Sequence, residues 1–167
     1  MHILMVVGFF LLGFASFAGS LTAQPLPQVE VLSHRVVESI SGFDSNWRAT
    51  DPTNYKGIVL SLKVSFTPEI KDISSSDFTL TYKSKMETQK ALCVGITLPS
   101  DTPPTPDEGF WILNDLKEGR AYSLKVENMK CCAIYSRFLF APLPNDTNEV
   151  TLMYKDKIMG KSVRIKR

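Results

Sequence analysis

Histidine is almost missing from this chain: there are two among 167 residues, His2 and His34. A zinc centre built on two or more histidines is therefore excluded for any chain that has lost its first residues. A serine–histidine–aspartate triad or a cysteine–histidine pair would have to use His34. The metal and nucleophile signatures are missing too: no Cys-x-x-Cys, no His-Glu-x-x-His, no Gly-x-Ser-x-Gly and no phosphate-cradling glycine loop. Excess charge is also lacking, with a formal net charge of +2 that gives nucleic-acid binding no compositional support. The basic residues Lys161, Arg164, Lys166 and Arg167 near the carboxyl end read as a solvated strand end. Helical stripes are absent beyond the first residues, which points away from a helical core.

The one long apolar run lies at the start. Residues 3–17 (ILMVVGFFLLGFASF) hold no charge and a single polar side chain, Ser16. Ala18, Gly19, Ser20, Thr22 and Ala23 follow, small enough for a processing site. A spanning helix needs about 20 apolar residues, and this run is shorter. The pattern predicts a secretory signal peptide over 1–23, cut after Ser20 or Ala23. The competing reading is a retained signal anchor. No cysteine follows the cut, the first being Cys93, which argues against a lipoprotein. Residues 24–167 then suit one domain, with no membrane span after cleavage.

What fills that domain is alternation. Ile58, Leu60, Leu62, Val64 and Phe66 alternate with Val59, Ser61, Lys63, Ser65 and Thr67. Period two over such a length marks a half-buried strand. Phe78, Leu80 and Tyr82 repeat it, as do Tyr122, Leu124 and Val126, and Val150, Leu152 and Tyr154. Weaker strands are expected at 29–40, 91–98, 132–140 and 158–165. Turn chemistry separates them at 50–54, 72–76, 117–119, 142–146 and 156–157. The spacing predicts an all-β sandwich of seven to nine mostly antiparallel strands. Ile58, Leu60, Leu62, Val64, Phe66, Phe78, Leu80, Tyr82, Leu124, Val126, Leu152 and Tyr154 are expected to face inward.

Residues 99–109 (PSDTPPTPDEG) carry four prolines and form a loop, since proline lacks the donor a central strand needs. Phe110 and Trp111 stand at its base and are the candidate binding residues, because aromatics on loops often anchor partners. The more ordinary role for both is core packing. Cys93, Cys131 and Cys132 make an odd count in a chain expected to meet an oxidising compartment. If Leu92, Val94, Ile96 and Leu98 claim the inner face of their strand, Cys93 points outward. If Ile134, Phe138 and Phe140 do the same, Cys132 points inward and Cys131 outward. That facing favours a Cys93–Cys131 disulfide, with Cys93–Cys132 and no bond at all as competing outcomes. Asp72, Asp77, Asp101, Asp107 and Glu108 lack the spacing of a calcium loop, and a turn-holding role suits Asp72 and Asp77. Asn145-Asp146-Thr147 fits the glycosylation pattern, which has meaning only in a glycosylating host; a turn asparagine is the plainer reading.

Three pieces carry a resemblance: KGIVLSLKVSF (56–66), DISSSDFTLTY (72–82) and FLFAPLPNDTNEVTLMYKDKIMG (138–160). Together they resemble an immunoglobulin-like domain family of unknown function found in exported bacterial proteins and lipoproteins. The likeness covers about residues 30–165 and rests on packing and turn patterns. The chain departs from it at TPEIKD after residue 66, at the proline-rich 99–107 and at Cys131-Cys132. The resemblance implies an immunoglobulin-like β-sandwich, export, and binding or assembly at the cell envelope, with no catalytic residues to carry over. The expected function is that of a secreted or periplasmic binding domain without enzymatic activity, cofactor or metal, whose partner is another protein or an envelope component. The alternatives are a structural envelope component assembling by sheet-edge pairing and, least favoured, a small secreted hydrolase using His34.

Overall fold

A computed structural model describes residues 25–38, 54–84, 87–104, 111–114, 120–127, 129 and 132–165. Among the described residues eleven strands follow one another: β1 (Gln28–Val37), β2 (Tyr55–Ser65), β3 (Asp72–Ser74), β4 (Phe78–Ser84), β5 (Glu87–Thr97), β6 (Trp111–Leu113), β7 (Ser123–Lys125), β8 (Ala133–Pro144), β9 (Glu149–Tyr154), β10 (Lys157–Ile158) and β11 (Val163–Arg164). A 3-10 turn, Ser75–Asp77, joins β3 to β4. The main sheet runs β1-β2-β8-β5-β4-β9-β10, with β11 on β9 and β6 on β5; β3 and β7 pair separately. Every pairing is antiparallel. The fold is all-β and sandwich-like, a curled sheet with a second small sheet closing on it.

The core follows from the alternation. Ile58, Leu60, Leu62 and Val64 of β2 are each 0 % exposed. They meet Phe78 and Leu80 of β4, Phe138 and Phe140 of β8, and Leu152 and Tyr154 of β9 on the inner face of the curl. Burying one such side chain contributes about 1.5–3 kcal/mol. Phe78 is the hub, its ring 4.6 Å from that of Phe138 and 4.9 Å from that of Tyr154. Ile73 of β3 and Val126 beside β7 seal the open side, with Leu124, Phe66 and Tyr82 partly buried against them. Every inward residue expected from periodicity thus packs on this core, and Ser61 and Lys63 point the other way.

The outer face of the sheet is also covered. Val59, Val94, Leu139 and Ala141 form a second buried cluster with Val37, and Trp111 packs against it. The sheet therefore buries both faces along β5 and β8, which read as apolar runs, and at the Val59 end of β2.

Two bulges correct the expected facing. In β5 the register with β8 shifts between Cys93 and Gly95. One extra residue exchanges the faces of everything beyond it. Ala91, Cys93 and Ile96 therefore enter the inner core, Val94 joins the outer cluster, and Leu92 and Leu98 are 46 % and 56 % exposed. Cys93 points inward, not outward. Glycine suits this bulge because β6 crosses close: a Cβ on Gly95 would lie 3.1 Å from the Ile112 carbonyl oxygen, so β6 would have to give by a few tenths of an ångström to admit one. The second bulge lies between Lys56 and Ile58, against Phe140 and Leu143 of β8. It admits Pro142 into a strand, so β8 runs on to Pro144 where a turn had been expected to begin at 142.

The turn at 156–157 is found one residue earlier. Tyr154 pairs with Lys157, and the two residues between them, Lys155 and Asp156, have φ of 46° and 61°. That is the geometry of a two-residue hairpin matched to strand twist. The expected signal over 72–76 becomes β3 and the 3-10 turn, with Asp72 3.4 Å from the Lys125 ammonium and Asp77 3.6 Å from that of Lys155. Among the described residues no helix is long and apolar enough to cross a membrane. The leader expected over 1–23 lies outside the described residues.

Candidate functional site

The expected binding residue Trp111 opens β6, opposite Thr97. It is half-buried, and the Arg137 guanidinium carbon sits 5.6 Å from its ring centroid. Arg137 is 3 % exposed, which places this cation–aromatic contact inside the outer layer. Trp111 thus acts as part of the packing over β5 and β8. Phe110 lies outside the described residues.

The surface that the proline-rich loop does frame is built from rungs across three strands. Glu30 of β1 faces Lys63 of β2, and Lys63 faces Tyr135 of β8. Beyond Tyr135, Ser100 forms an isolated bridge: its N–H donates to the Tyr135 carbonyl at 2.9 Å, and the Tyr135 N–H donates back at 2.8 Å. The neighbouring rung is Gln28, Ser65 and Ala133. Loop residues 99–102 are thereby tied to the edge of this floor, and Asp101 stands over it. The result is an open groove of about 510 Å³. Leu26, Phe66 and Tyr135 give it apolar surface, Lys63 and Asp101 one charge of each sign, and the exposed Cys132 lies at its rim. A second groove of about 530 Å³ lies over β4 and β9. Within it Thr81 Oγ1 donates to the Thr151 carbonyl at 3.4 Å, and the Thr151 and Ser162 hydroxyls share a bond of 3.1 Å.

Two buried polar anchors hold the frame. Asn114, at the end of β6, is 8 % exposed. Its Oδ1 accepts from Ser75 Oγ at 2.7 Å and from the Tyr122 N–H at 3.2 Å, and its Nδ2 donates to the Cys93 carbonyl at 2.9 Å. Lys56 is 5 % exposed, and its ammonium donates to the carbonyls of Thr147 at 2.8 Å and Asn145 at 3.1 Å. The candidate glycosylation residue Asn145 is half-buried in that turn, its N–H bonded to the Asn54 carbonyl at 2.8 Å. The geometry favours the turn role. Sequence reasoning missed Lys56, Asn114, Lys63, Tyr135 and Arg137 as a group, because each gains meaning only from strands distant in sequence.

The cysteines reverse the expected arrangement. Cys93 is 1 % exposed and carries a free thiol, which donates to the Gly95 carbonyl at 3.4 Å; Cys132 is free and exposed. The facing that favoured a Cys93–Cys131 disulfide is overturned by the β5 bulge, and Cys131 lies outside the described residues. Burial pushes the Cys93 thiol up to about 12, so it stays protonated and unreactive at neutral pH. His34 is exposed on β1 opposite Leu60. Strands β2 and β8 stand between β1 and β5, which puts His34 and Cys93 about 14 Å apart at ordinary strand spacing. They form no nucleophile–base pair.

A thiol reagent at pH 8 is expected to label Cys132 in the folded protein and Cys93 only after denaturation, read by peptide mapping. Native labelling of Cys93 at the rate of Cys132 would contradict the buried assignment. Because the folded Cys93 holds its proton above the ordinary value of 9.0, the unfolded chain ionises first. Stability contributed by this group is therefore present below pH 9 and falls as pH rises from there towards 12. Tyr154 adds to the same alkaline loss, its hydroxyl raised by burial and by the adjacent Asp77 carboxylate.

The chain matches no protein-family model, no curated protein and no solved structure.

Proposed function

We propose that this chain is an exported binding domain whose ligand surface is the groove beside Asp101, and that the ligand is an extended protein segment. The observation that carries this reading is the amphipathic floor at the proline-rich loop. Tyr135 and Phe66 supply anchoring surface for an apolar side chain, while Lys63 and Asp101 stand ready for charged or backbone groups. The floor is made of strands rather than loops, so it is set rigidly before any ligand arrives. The groove is open along its length, which suits a chain segment better than a small enclosed ligand. Export rests on the leader over 1–23, and the resemblance to immunoglobulin-like domains of exported bacterial proteins agrees with it.

The test uses a linear peptide library displayed on phage and selected on the protein lacking residues 1–23. Peptides enriched on the native protein are expected to lose tenfold or more in affinity against Tyr135→Ala, the effect of removing one central aromatic anchor. Loss of binding to Thr151→Arg with no response to Tyr135→Ala would move the site to the other groove. No enrichment would end the reading. Intact-mass measurement on the exported product checks the leader, with Leu21 or Gln24 expected first; a membrane-bound product still beginning at Met1 would refute cleavage.

A further inference from the structure

The two edges of the main sheet are finished in different ways. On one side β10 and β11, two residues each, fold back on β9. Short pieces of this kind blunt an edge. On the other side β1 runs for ten residues, pairs with β2, and has no second neighbour among the described strands. Gln28, Glu30 and residues 32–36 are exposed. A strand of this length offers a row of backbone donors and acceptors to another strand.

The bulge in β1 decides which strand fits. The register passes from Val31 opposite Leu62 to Ser33 opposite Ser61, leaving Leu32 without a counterpart. Glu30, Ser33, Arg35 and Val37 consequently lie opposite the outward residues of β2, and Val29, Val31, His34 and Val36 opposite its inward ones.

We propose that β1 pairs antiparallel with β1 of a second copy, about a two-fold axis beside Ser33. A two-fold pair of antiparallel strands must set one residue against itself, and residues facing each other must share a side of the sheet. With Leu32 bulged on both strands, an axis at Ser33 meets both conditions. Glu30 then faces Arg35 of the second copy, twice. Val29 faces Val36, and Val31 faces His34. An axis one step away, at Val31 or His34, leaves Glu30 opposite Ser33 or Val37 and matches no charges. An axis at Glu30 or Arg35 sets like charges against each other. The Ser33 register is the one in which every charge on the strand meets its opposite. Opposite charges across a ladder favour a register and like charges oppose it. The assembly joins two curled sheets into one continuous sheet along the outer edge of β1, whose Gln28 also lines the groove beside Asp101.

Sedimentation and light scattering of the protein lacking residues 1–23, from micromolar to submillimolar concentration, test the pairing. The native protein is expected to show a monomer–dimer equilibrium. Arg35→Glu and Glu30→Arg are each expected to weaken it by tenfold or more, since each turns two attractive pairs into two repulsive ones. The double variant Glu30→Arg/Arg35→Glu restores it. Ser33→Cys under mild oxidation yields a covalent dimer linked through position 33, because opposed residues in such a ladder lie within disulfide reach. Circular dichroism verifies that each variant is folded. A monomer at every concentration, a dimer indifferent to both charge reversals, or a reversal that the double variant does not rescue would each overturn the proposal.

Discussion

Phe78→Ala is expected to lower the unfolding free energy by about 3–5 kcal/mol, the range for truncating a buried aromatic. Phe78 is 0 % exposed and touches the rings of both Phe138 and Tyr154. Those two residues come from β8 and β9, which flank the β5–β4 pair in the sheet. The cavity left by the ring would open between strands already fixed by their ladders, so little collapse can refill it. Against a typical total of about 5–15 kcal/mol, the variant should be marginal at 37 °C. Urea unfolding followed by tryptophan fluorescence and circular dichroism measures the loss. A drop below about 1.5 kcal/mol would mean that the three rings are not the centre of the core.

The second large effect is expected at Asn114. Its side chain satisfies the Ser75 hydroxyl, the Tyr122 amide and the Cys93 carbonyl in one buried place. Alanine there removes the side-chain partner of the Tyr122 amide and the Cys93 carbonyl, while the Ser75 hydroxyl keeps the Tyr122 carbonyl at 3.1 Å; leaving buried polar groups unmade costs about 1–3 kcal/mol each before relaxation. A net loss of about 2–4 kcal/mol is expected from Asn114→Ala. The damage should be local before it is global. Amide exchange over β3, the 3-10 turn and β7 should quicken first, because Ser75 N–H to the Tyr122 carbonyl at 2.8 Å is the bond beside the lost hub. Unchanged exchange there, with stability within 1 kcal/mol of native, would show that water replaces the amide without cost.

Periodicity exposed β4 and β9, which bury one face each, and β2, where buried and half-buried residues alternate from Leu60 onward. It failed in β5 for a physical reason. The sequence around Cys93 carries apolar residues at consecutive positions, and both faces of that strand are buried. Alternation then carries no information about which face is which, and a single bulge decides it. The same holds for Pro142, which reads as a breaker until its partner strand is known to shift register opposite it. Lys56 and Asn114 read as ordinary polar residues because their partners are carbonyls far along the chain. The groove was legible only in part. Residues 99–102 of the expected loop border it, yet its floor belongs to Lys63 and Tyr135, which are neighbours only across the β2–β8 ladder. Trp111 drew notice by residue type, and its ring is engaged with Arg137.

The central ladder imposes an order in time. Strand β2 pairs with β8, setting Leu60 against Phe138, so a strand with much of its length buried waits for nearly all the rest to be made. At ordinary rates of synthesis that wait is several seconds. During it β2 has β1 on one side and nothing on the side that β8 will occupy. Long-range pairing of this kind slows folding into the millisecond-to-second range even for the finished chain. A newborn molecule therefore spends its riskiest period with β2 open to the wrong neighbours, and holding the chain unfolded until β8 has been released would spare it that exposure.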